Sequence, residues 1–166
     1  MPTVTSRVPA LIDYLVALFT NAATLGAAPA PNTVTVFDGP PTTELDAPLK
    51  LYVGLSDPDN EGAETAADFT QEWGAIGRLA RNEETTIHCC AEAWSGVDTL
   101  QTVRLAVTGL TAAVETLMQA DSTQFGGNVL YPAPGFAAGS LVQNNTSSGA
   151  IARVPFDLIF KSRIGG

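Results

Sequence analysis

The sequence predicts an α+β fold: an antiparallel or mixed β-sheet of about four to six strands, with two main helices packed on one face. Three observations predict it. Helical spacing of apolar residues occurs in two stretches, at 6–20 and 98–120, and several shorter stretches alternate apolar and polar residues. The chain has 166 residues, near the usual size of one domain, and shows no internal repeat. We therefore expect a single domain over residues 1–166.

Residues 6–20 have the pattern of an amphipathic helix that opens the chain. Their apolar side chains recur at the spacing of one helical face, at Val8, Leu11, Ile12, Leu15, Leu18 and Phe19. Ser6 is a candidate N-cap, and Pro9 fits the first turn, where its missing N–H has no helical partner. The Ala- and Pro-rich stretch 27–32 cannot continue the helix.

Strand patterns follow this helix. Residues 33–37 and 49–55 alternate apolar and polar side chains. Residues 56–70 are acidic and poor in apolar content, which predicts an exposed acidic loop within the domain. Residues 71–77 and 85–94 are then candidate strands that could pair as a hairpin.

The second half of the chain predicts one long helix and two strands. Residues 98–120 form the clearest helical pattern, and Asp98 with Gln101 resembles a capping box at its start. The glycine- and proline-rich segment 121–139 has no periodicity and predicts a connection, followed by strands at 140–144 and 150–163. Pro155 cannot donate to a ladder, so the last strand should have an unpaired side or a bulge there.

The charge is strongly negative and unevenly placed. Seventeen Asp and Glu residues face eight Lys and Arg residues, a net charge of -9, and nine of the acids lie within residues 38–72. A phosphate backbone would be repelled, which disfavours nucleic-acid wrapping. The acidic stretch either serves as a solvated face or meets something that tolerates negative charge. The sequence has no secretory signal pattern, and its longest apolar run is short of a membrane span, so we expect a cytosolic protein that contacts no membrane.

A catalytic or cofactor site finds no support. The single histidine, His88, precedes Cys89, but on a strand these two side chains point to opposite faces, which argues against a Cys-His catalytic pair. Cys89 and Cys90 also point to opposite faces, so a disulfide between them would be strained and we expect two structural cysteines. One His-Cys-Cys triplet is too few ligands for structural zinc. Residues 57–68 match a calcium loop in part, since Asp57, Asp59 and Glu61 alternate. We expect no cofactor and no catalytic or metal site.

Several larger side chains are candidates for contacts between copies. Trp73 and Trp94 lie where predicted strands end, and such residues are either core residues or interface anchors. Arg78 and Arg81 bracket a predicted turn and could pair with acids of a neighbouring copy or form ordinary surface pairs. Arg153 and Pro155 belong to the last strand, where an edge left free at the proline is a further candidate patch.

Several stretches together resemble the tail terminator proteins of long-tailed (siphovirus-type) bacteriophages that infect actinobacteria. They are VPALI at 8–12, VTVFDGPP at 34–41, LYVG at 51–54, QEW at 71–73, EETTI at 83–87, AWSG at 93–96, GSL at 139–141 and GAIARV at 149–154. The likeness runs in order over residues 8–164. It implies a sheet flanked by helices, in agreement with the layers predicted above, and no catalytic residues.

The resemblance also implies a place in a virus particle. Such proteins form a hexameric ring on the head-proximal end of the tail tube, stop tube polymerisation and offer a surface to the head connector. The implied partners are further copies of the chain, the tail tube protein and a head-completion protein, and the implied location is the virion neck after synthesis in the host cytoplasm.

A ring of this kind has a channel through which DNA passes without specific binding. Carboxylates on its wall would repel phosphates, and the candidates for lumen-facing acids are Asp57, Asp59, Glu61 and Glu64. Two alternatives stay open: another ring-forming neck protein, such as a head-tail joining or head-completion protein, or a monomeric calcium-binding module using residues 57–68.

Overall fold

One mixed sheet with two long helices on one of its faces forms the protein. The computed structural model describes residues 5–22, 25, 34–42, 47–60, 62–74, 80–97, 99–130 and 135–165. Over these residues the sheet has seven strands, and the predicted α+β class is confirmed. The strand that the sequence did not predict is β5, which lies in the segment expected to be a connection.

The elements follow the chain in a helix-strand-helix-strand order. They are α1 (Val8–Asn21), β1 (Val34–Asp38), β2 (Leu49–Val53), β3 (Ala67–Trp73), β4 (Arg81–Ser95), α2 (Leu100–Ala120), the single turn α3 (Gln124–Gly127), β5 (Gly135–Ala138), β6 (Val142–Thr146) and β7 (Gly149–Ile164). Both helices that the sequence predicted are present, with ends that differ by at most two residues.

The two longest strands, β4 and β7, pair antiparallel at the centre of the sheet. Their register runs from Arg81 opposite Ile164 to Ser95 opposite Ala150. On the outer side of β4, strand β3 pairs with its first half and β2 with its second half, and β1 adds to β2 in parallel. On the outer side of β7, β6 and β5 occupy consecutive stretches. Each central strand therefore has two short strands along its outer side.

The main core lies between the sheet and the helices. Alternate residues of β4 and β7 face it, including Ile87, Cys89 and Ala91 on one strand and Phe156, Leu158 and Phe160 on the other. Helix α2 contributes Val103, Val107, Leu110, Val114 and Met118, and α1 contributes Leu11, Leu15 and Phe19. These are the spacings of one helical face, so the periodicity in the sequence records this burial directly.

Both helices begin with a polar contact to their first turn. The Thr99 hydroxyl accepts from the Thr102 N–H at 3.4 Å, so Thr99 is the N-cap of α2 and the prediction of an Asp98 capping box is wrong; Asp98 itself lies outside the described residues. At α1 the Ser6 hydroxyl accepts from the Val8 N–H, while the N-cap position belongs to Arg7. The Arg7 N–H donates to the buried Glu83 carboxylate at 2.8 Å, which places a negative charge at the positive end of the helix dipole.

The predicted acidic loop is shorter than residues 56–70, because β3 already begins at Ala67. This strand continues to Trp73 and pairs with β4 as the predicted hairpin, with Ala67 opposite Ile87 and Trp73 opposite Arg81. Five of its seven residues are exposed and none is buried. An edge strand with so little burial has no apolar alternation, and the sequence pattern that reveals half-buried strands is absent from it.

The interruption predicted at Pro155 is confirmed. On the side of β7 away from β4, the β5 ladder ends at Phe156 and the β6 ladder begins at Arg153. Val154 and Pro155 therefore have no ladder partner on that side among the described strands. Pro155 lies opposite Cys90 in the middle of the sheet, so the prediction that it frees an edge of the sheet is wrong.

Candidate functional site

A charged cluster crosses the sheet on the face opposite the helices, called here the open face. Lys50, Glu92 and Arg153 occupy adjacent positions on β2, β4 and β7. The Lys50 Nζ lies 3.3 Å from Glu92 Oε1, and the Arg153 Nε donates to Glu92 Oε2 at 2.6 Å. The two terminal nitrogens of Arg153 donate to the two carboxylate oxygens of Asp59, one of them at 2.9 Å. A bidentate pair therefore ties the acidic loop to the centre of the sheet.

The side chains of the cluster that belong to the sheet strands are largely buried, whereas the loop carboxylate is exposed. The Glu92 side chain is 5% exposed and the Arg153 side chain 15%, whereas that of Asp59 is 72% exposed. Burial alone would lower the pKa of Arg153, but hydrogen bonds and charges from Asp59 and Glu92 raise it above its usual value. The hydrogen bond from Arg153 lowers the pKa of Asp59. Both groups stay charged at neutral pH, and Glu92 has a cation on either side.

The acidic loop covers a small apolar cluster next to these charges. Tyr52, Leu55 and Cys90 are buried under it, and Phe37 stacks on Tyr52 with ring centroids 5.0 Å apart. Leu55 is the first residue after the turn at Gly54, whose φ of 81° suits glycine. The loop is thus attached at one end by an apolar contact and further along by the Asp59–Arg153 ion pair.

Other loop carboxylates shape the loop itself. Glu64 accepts from the Ser56 N–H and hydroxyl and from the Asn60 amide, and the Asn60 hydrogen bond lowers the pKa of Glu64. Asp57 accepts from the Asp59 N–H at 3.0 Å. Of the predicted lumen-facing acids, Asp59 is neutralised by Arg153, Glu64 is held by hydrogen bonds, Asp57 is exposed, and Glu61 lies outside the described residues.

The same contacts separate the ligands of the predicted calcium loop. Asp59 binds Arg153, and Asp68 lies on β3, where it contacts His88. Within the part of the chain that the structure describes, no group of three His, Cys, Asp or Glu side chains is arranged to hold a metal ion. The geometry therefore gives no support to the calcium-binding alternative.

His88 forms a second link across the open face. Its Nδ1 lies 2.7 Å from Asp157 on β7, and its Nε2 lies 3.0 Å from Asp68 on β3. Only the imidazolium form can donate from both nitrogens to the two carboxylates. Burial acts to lower the pKa of His88, but the hydrogen bonds and charges of Asp157 and Asp68 outweigh it and raise the pKa.

We expect the contribution of His88 to stability to decrease as the pH rises. Because its pKa is higher in the folded state, the stabilisation is fully present below the unfolded value of about 6.5 and is lost as pH passes through the higher folded value. Urea unfolding of wild type and His88→Gln should differ by about 1 kcal/mol near pH 5.5 and by much less near pH 9. Equal differences at both pH values would contradict this assignment.

The vicinal cysteines lie on opposite sides of the sheet. Cys89 faces the helix-side core and Cys90 the small cluster under the acidic loop, and both are fully buried and free. Burial raises the pKa of each thiol to about 12. His88 uses both ring nitrogens on carboxylates, so it forms no nucleophile-base pair with either thiol.

Neither thiol should react with a chromogenic thiol reagent in the native protein, since a thiol with this pKa carries almost no thiolate at neutral pH. Both should react once the chain is unfolded in denaturant. Rapid reaction of one thiol in native buffer would contradict the burial seen here.

The candidate interface residues fall into two places. Trp73 lies at the end of β3 and is 67% exposed, so a core position for it is wrong, and the Arg81 guanidinium stacks on its ring at 5.5 Å. Trp94, Arg153 and Pro155 are half-buried residues on the open face of β4 and β7. Arg78 lies outside the described residues. The structure therefore brings Trp73 and Arg81 together at one edge of the sheet.

Two residues of the open-face cluster and the β3 edge were not predicted from the sequence. Glu92 is a buried acid within the otherwise uncharged run at 89–94, and that isolation could have indicated a paired charge inside the fold. Phe69 is 52% exposed on β3, on the same side of the strand as Trp73, with Gln71 between them. It fell in the predicted loop, where a single aromatic residue gives no signal.

Comparison with known proteins is informative at the level of structure. No protein-family model matches the chain, and no curated protein matches it in sequence. A chain from the solved structure described as "Virion of native gene transfer agent (GTA) particle" superposes with a TM-score of 0.50 at 16% identity. The alignment covers 98% of this chain and 100% of that chain. The protein shares its fold with that virion chain.

The shared fold extends over the whole chain rather than over a local motif. Both chains therefore have a similar length and are built from the same arrangement of helices and sheet.

Among the described residues, neither long helix combines the length and apolar character that a membrane span requires.

Proposed function

We propose that this chain is a virion structural protein, and specifically a tail terminator. Copies of it form a ring on the head-proximal end of a tail tube, stop tube polymerisation and join the tail to the head connector. The observation that carries the proposal is the full-length likeness in fold to a chain of a gene transfer agent virion. The motif resemblance to tail terminator proteins supports the same role.

The distribution of chemistry in the fold supports an assembly role over catalysis. The charged groups of the open face satisfy one another, and both thiols are buried with raised pKa values. One concavity on the sheet is bounded by Trp94, Asn144 and Arg153, and Arg153 is already paired with Glu92 and Asp59. The proposal therefore assigns no catalytic residue and no cofactor.

The shape of the sheet supports a closed ring. Strand β3 lies along one side of the central pair of strands, and β5 and β6 lie along the other. Two unlike surfaces on opposite sides of a molecule generate head-to-tail contacts, which form a ring when the rotation closes. The number of copies, six, comes from the resemblance to tail terminators.

The negative charge suits a channel for DNA. A net charge of -9 repels phosphates, and Asp57 is an exposed acid of the loop. In this proposal the partners are further copies, the tail tube protein and the head connector, while DNA passes without specific binding. The protein is made in the host cytoplasm and is located in the neck of the particle.

Arrest of tube growth is the test of this function. Purified protein added to tail tube subunits that are polymerising should shorten the tubes as its concentration rises, and electron microscopy should find it at one tube end. An unrelated acidic protein of similar size is the control. Tubes of unchanged length with the protein bound to finished necks would instead indicate a head-completion or joining protein.

A further inference from the structure

We propose that β3 of one copy pairs strand to strand with β6 of the next copy, so that the sheet continues across the interface between subunits. This inference rests on the proposed ring and specifies which surfaces close it. It predicts a head-to-tail contact made by backbone hydrogen bonds between two edges that each carry exposed apolar side chains.

The hydrogen-bonding pattern of β3 leaves one side of its backbone free. The His88 N–H donates to the Ala66 carbonyl at 3.1 Å, and the Gly74 N–H donates to the Ala80 carbonyl at 3.0 Å. In an antiparallel ladder these contacts alternate, so the even-numbered residues between them direct their N–H and C=O groups towards β4. The N–H and C=O groups of Phe69, Gln71 and Trp73 therefore point away from the sheet, where no described strand lies.

The opposite side of the sheet offers a second free edge. Strand β6 pairs only with β7 among the described strands, and all five of its residues are exposed. In contrast, the residues of β1, at the end of the strand order, are mostly half-buried. Unpaired strand edges are ready templates for pairing with another chain.

Exposed apolar side chains gather at the same two edges. Phe69 and Trp73 lie on β3, with 52% and 67% of their surface exposed. On the other side, Leu141 and Val142 are 44% and 52% exposed at the start of β6. Large exposed apolar side chains can mark a contact site, and here they accompany free backbone donors and acceptors on both sides.

Two further exposed apolar residues flank β6. Val97 comes two residues after Ser95, which pairs with Ala150 beside the β6–β7 turn. Leu105 comes directly after Arg104, whose guanidinium lies 3.5 Å from the Gln143 side-chain oxygen. Of the exposed large apolar residues that the structure describes, Leu130 is the one outside these two edges. Phe69 and Trp73 lie opposite Thr85 and Arg81 and so are on the helix side of the sheet, whereas Val142 lies opposite Arg153 on the open face. Both edges therefore carry exposed apolar side chains.

Charge selects the β3–β6 contact over a contact between two β3 strands. Strand β3 carries the exposed carboxylates of Asp68 and Glu72, and pairing it with itself would bring four carboxylates together. Strand β6 has no charged residue, and Arg104 lies beside it. Self-pairing would also stop at a dimer, whereas β3–β6 pairing leaves a free edge at each end and can close a ring.

The orientation of the Phe69 N–H allows a selective backbone test. In Phe69→Pro the lost N–H points away from β4, so the ladder inside the subunit stays intact while the ladder between subunits loses a donor. Phe69→Ser removes the aromatic ring but keeps the N–H. We expect assembly, measured by light scattering and by binding to tubes, to fall about tenfold or more for Phe69→Pro and less for Phe69→Ser. Equal assembly by Phe69→Pro and wild type, with unchanged circular dichroism, would overturn the proposal.

Cross-linking tests the pairing without relying on a proline variant. Glu72→Cys and Asn144→Cys place one accessible thiol each on the open-face side of β3 and β6, and the native thiols are buried. With a short bismaleimide, a mixture of the two variants should give dimers, and each variant alone should not. Cross-linking of Glu72→Cys alone would indicate two-fold pairing and overturn the proposal, as would no cross-linking in assembled material.

The two proposals can fail separately. If tubes are still terminated and no β3–β6 cross-link forms, the interface is wrong and the function stands. If cross-linked rings form while tubes continue to grow, the interface stands and the terminator function is wrong.

Discussion

Replacing Arg153 with alanine should lower the free energy of unfolding by about 3 kcal/mol, because it leaves a buried carboxylate with one cation instead of two. Glu92 is 4% exposed and keeps only Lys50 at 3.3 Å once the guanidinium is gone. The change also removes both hydrogen bonds to Asp59, which attach the acidic loop to the sheet. Denaturant unfolding measures the first effect, and cleavage at Glu64 by a glutamate-specific protease measures release of the loop.

The control for Arg153 removes the buried charge together with its partner. In Arg153→Met combined with Glu92→Leu, no buried unpaired carboxylate remains, since the Asp59 side chain is 72% exposed, and stability should return to within about 1 kcal/mol of wild type. The loop should stay susceptible to protease in this variant, since Asp59 still lacks its partner. A single Arg153→Ala variant as stable and as protease-resistant as wild type would contradict the role given to the cluster.

Gly149→Ala should destabilise the fold by about 3 kcal/mol or more, because the added methyl group meets backbone that cannot move aside. A Cβ at this position would lie 2.3 Å from the Ser95 carbonyl oxygen and 2.8 Å from the Gly96 Cα. The φ of Gly149 is 140°, a conformation that residues with a side chain rarely adopt. This glycine begins β7 directly after the β6–β7 turn, so the damage should also reach the β6 edge.

Gly139→Ala is the matched control for this effect. The position lies in the link between β5 and β6, and an added Cβ there meets nothing within 4 Å. Its free energy of unfolding should stay within about 0.5 kcal/mol of the wild-type value. A Gly149→Ala variant that unfolds at the same denaturant concentration as Gly139→Ala would show that the close approach at Ser95 is not as described.

The helices and the central strands could be predicted because burial on one face leaves a period in the sequence. In α2 the buried residues Val103, Val107, Leu110 and Val114 follow the spacing by threes and fours that predicted the helix, although the next buried residue is Met118 and not Leu117. The same holds for β7, where alternate residues from Ala150 to Ile164 are buried. In these elements the apolar periodicity and the burial in the tertiary structure agree, so the sequence pattern was sufficient to predict them.

The edges of the sheet could not be predicted in the same way. Strand β3 is exposed along both faces, and β5 has four residues within a glycine- and proline-rich segment. Their pairing with β4 and β7 decides their structure, and this depends on contacts with distant parts of the chain. The same reason explains Pro155, where the sequence correctly indicated an interruption but not its position between β5 and β6.

The charged cluster depends wholly on register. Lys50, Glu92 and Arg153 are far apart in the sequence and become neighbours only because three strands align them side by side. The sequence indicated an acidic stretch that could face a channel, but it could not show that Asp59 is paired with Arg153. Because Asp59 is paired, fewer loop carboxylates remain without a cationic partner, and Asp57 is one of them among the described residues.

The most direct measurement of the central claim is the length of tail tubes assembled with and without this protein. Electron micrographs of tubes made in an assembly extract should show a narrow length distribution when the chain is present. Removing it should give tubes that continue to grow to variable lengths, and adding it back should restore the narrow distribution. Identical tube lengths in the presence and absence of the protein would contradict the account.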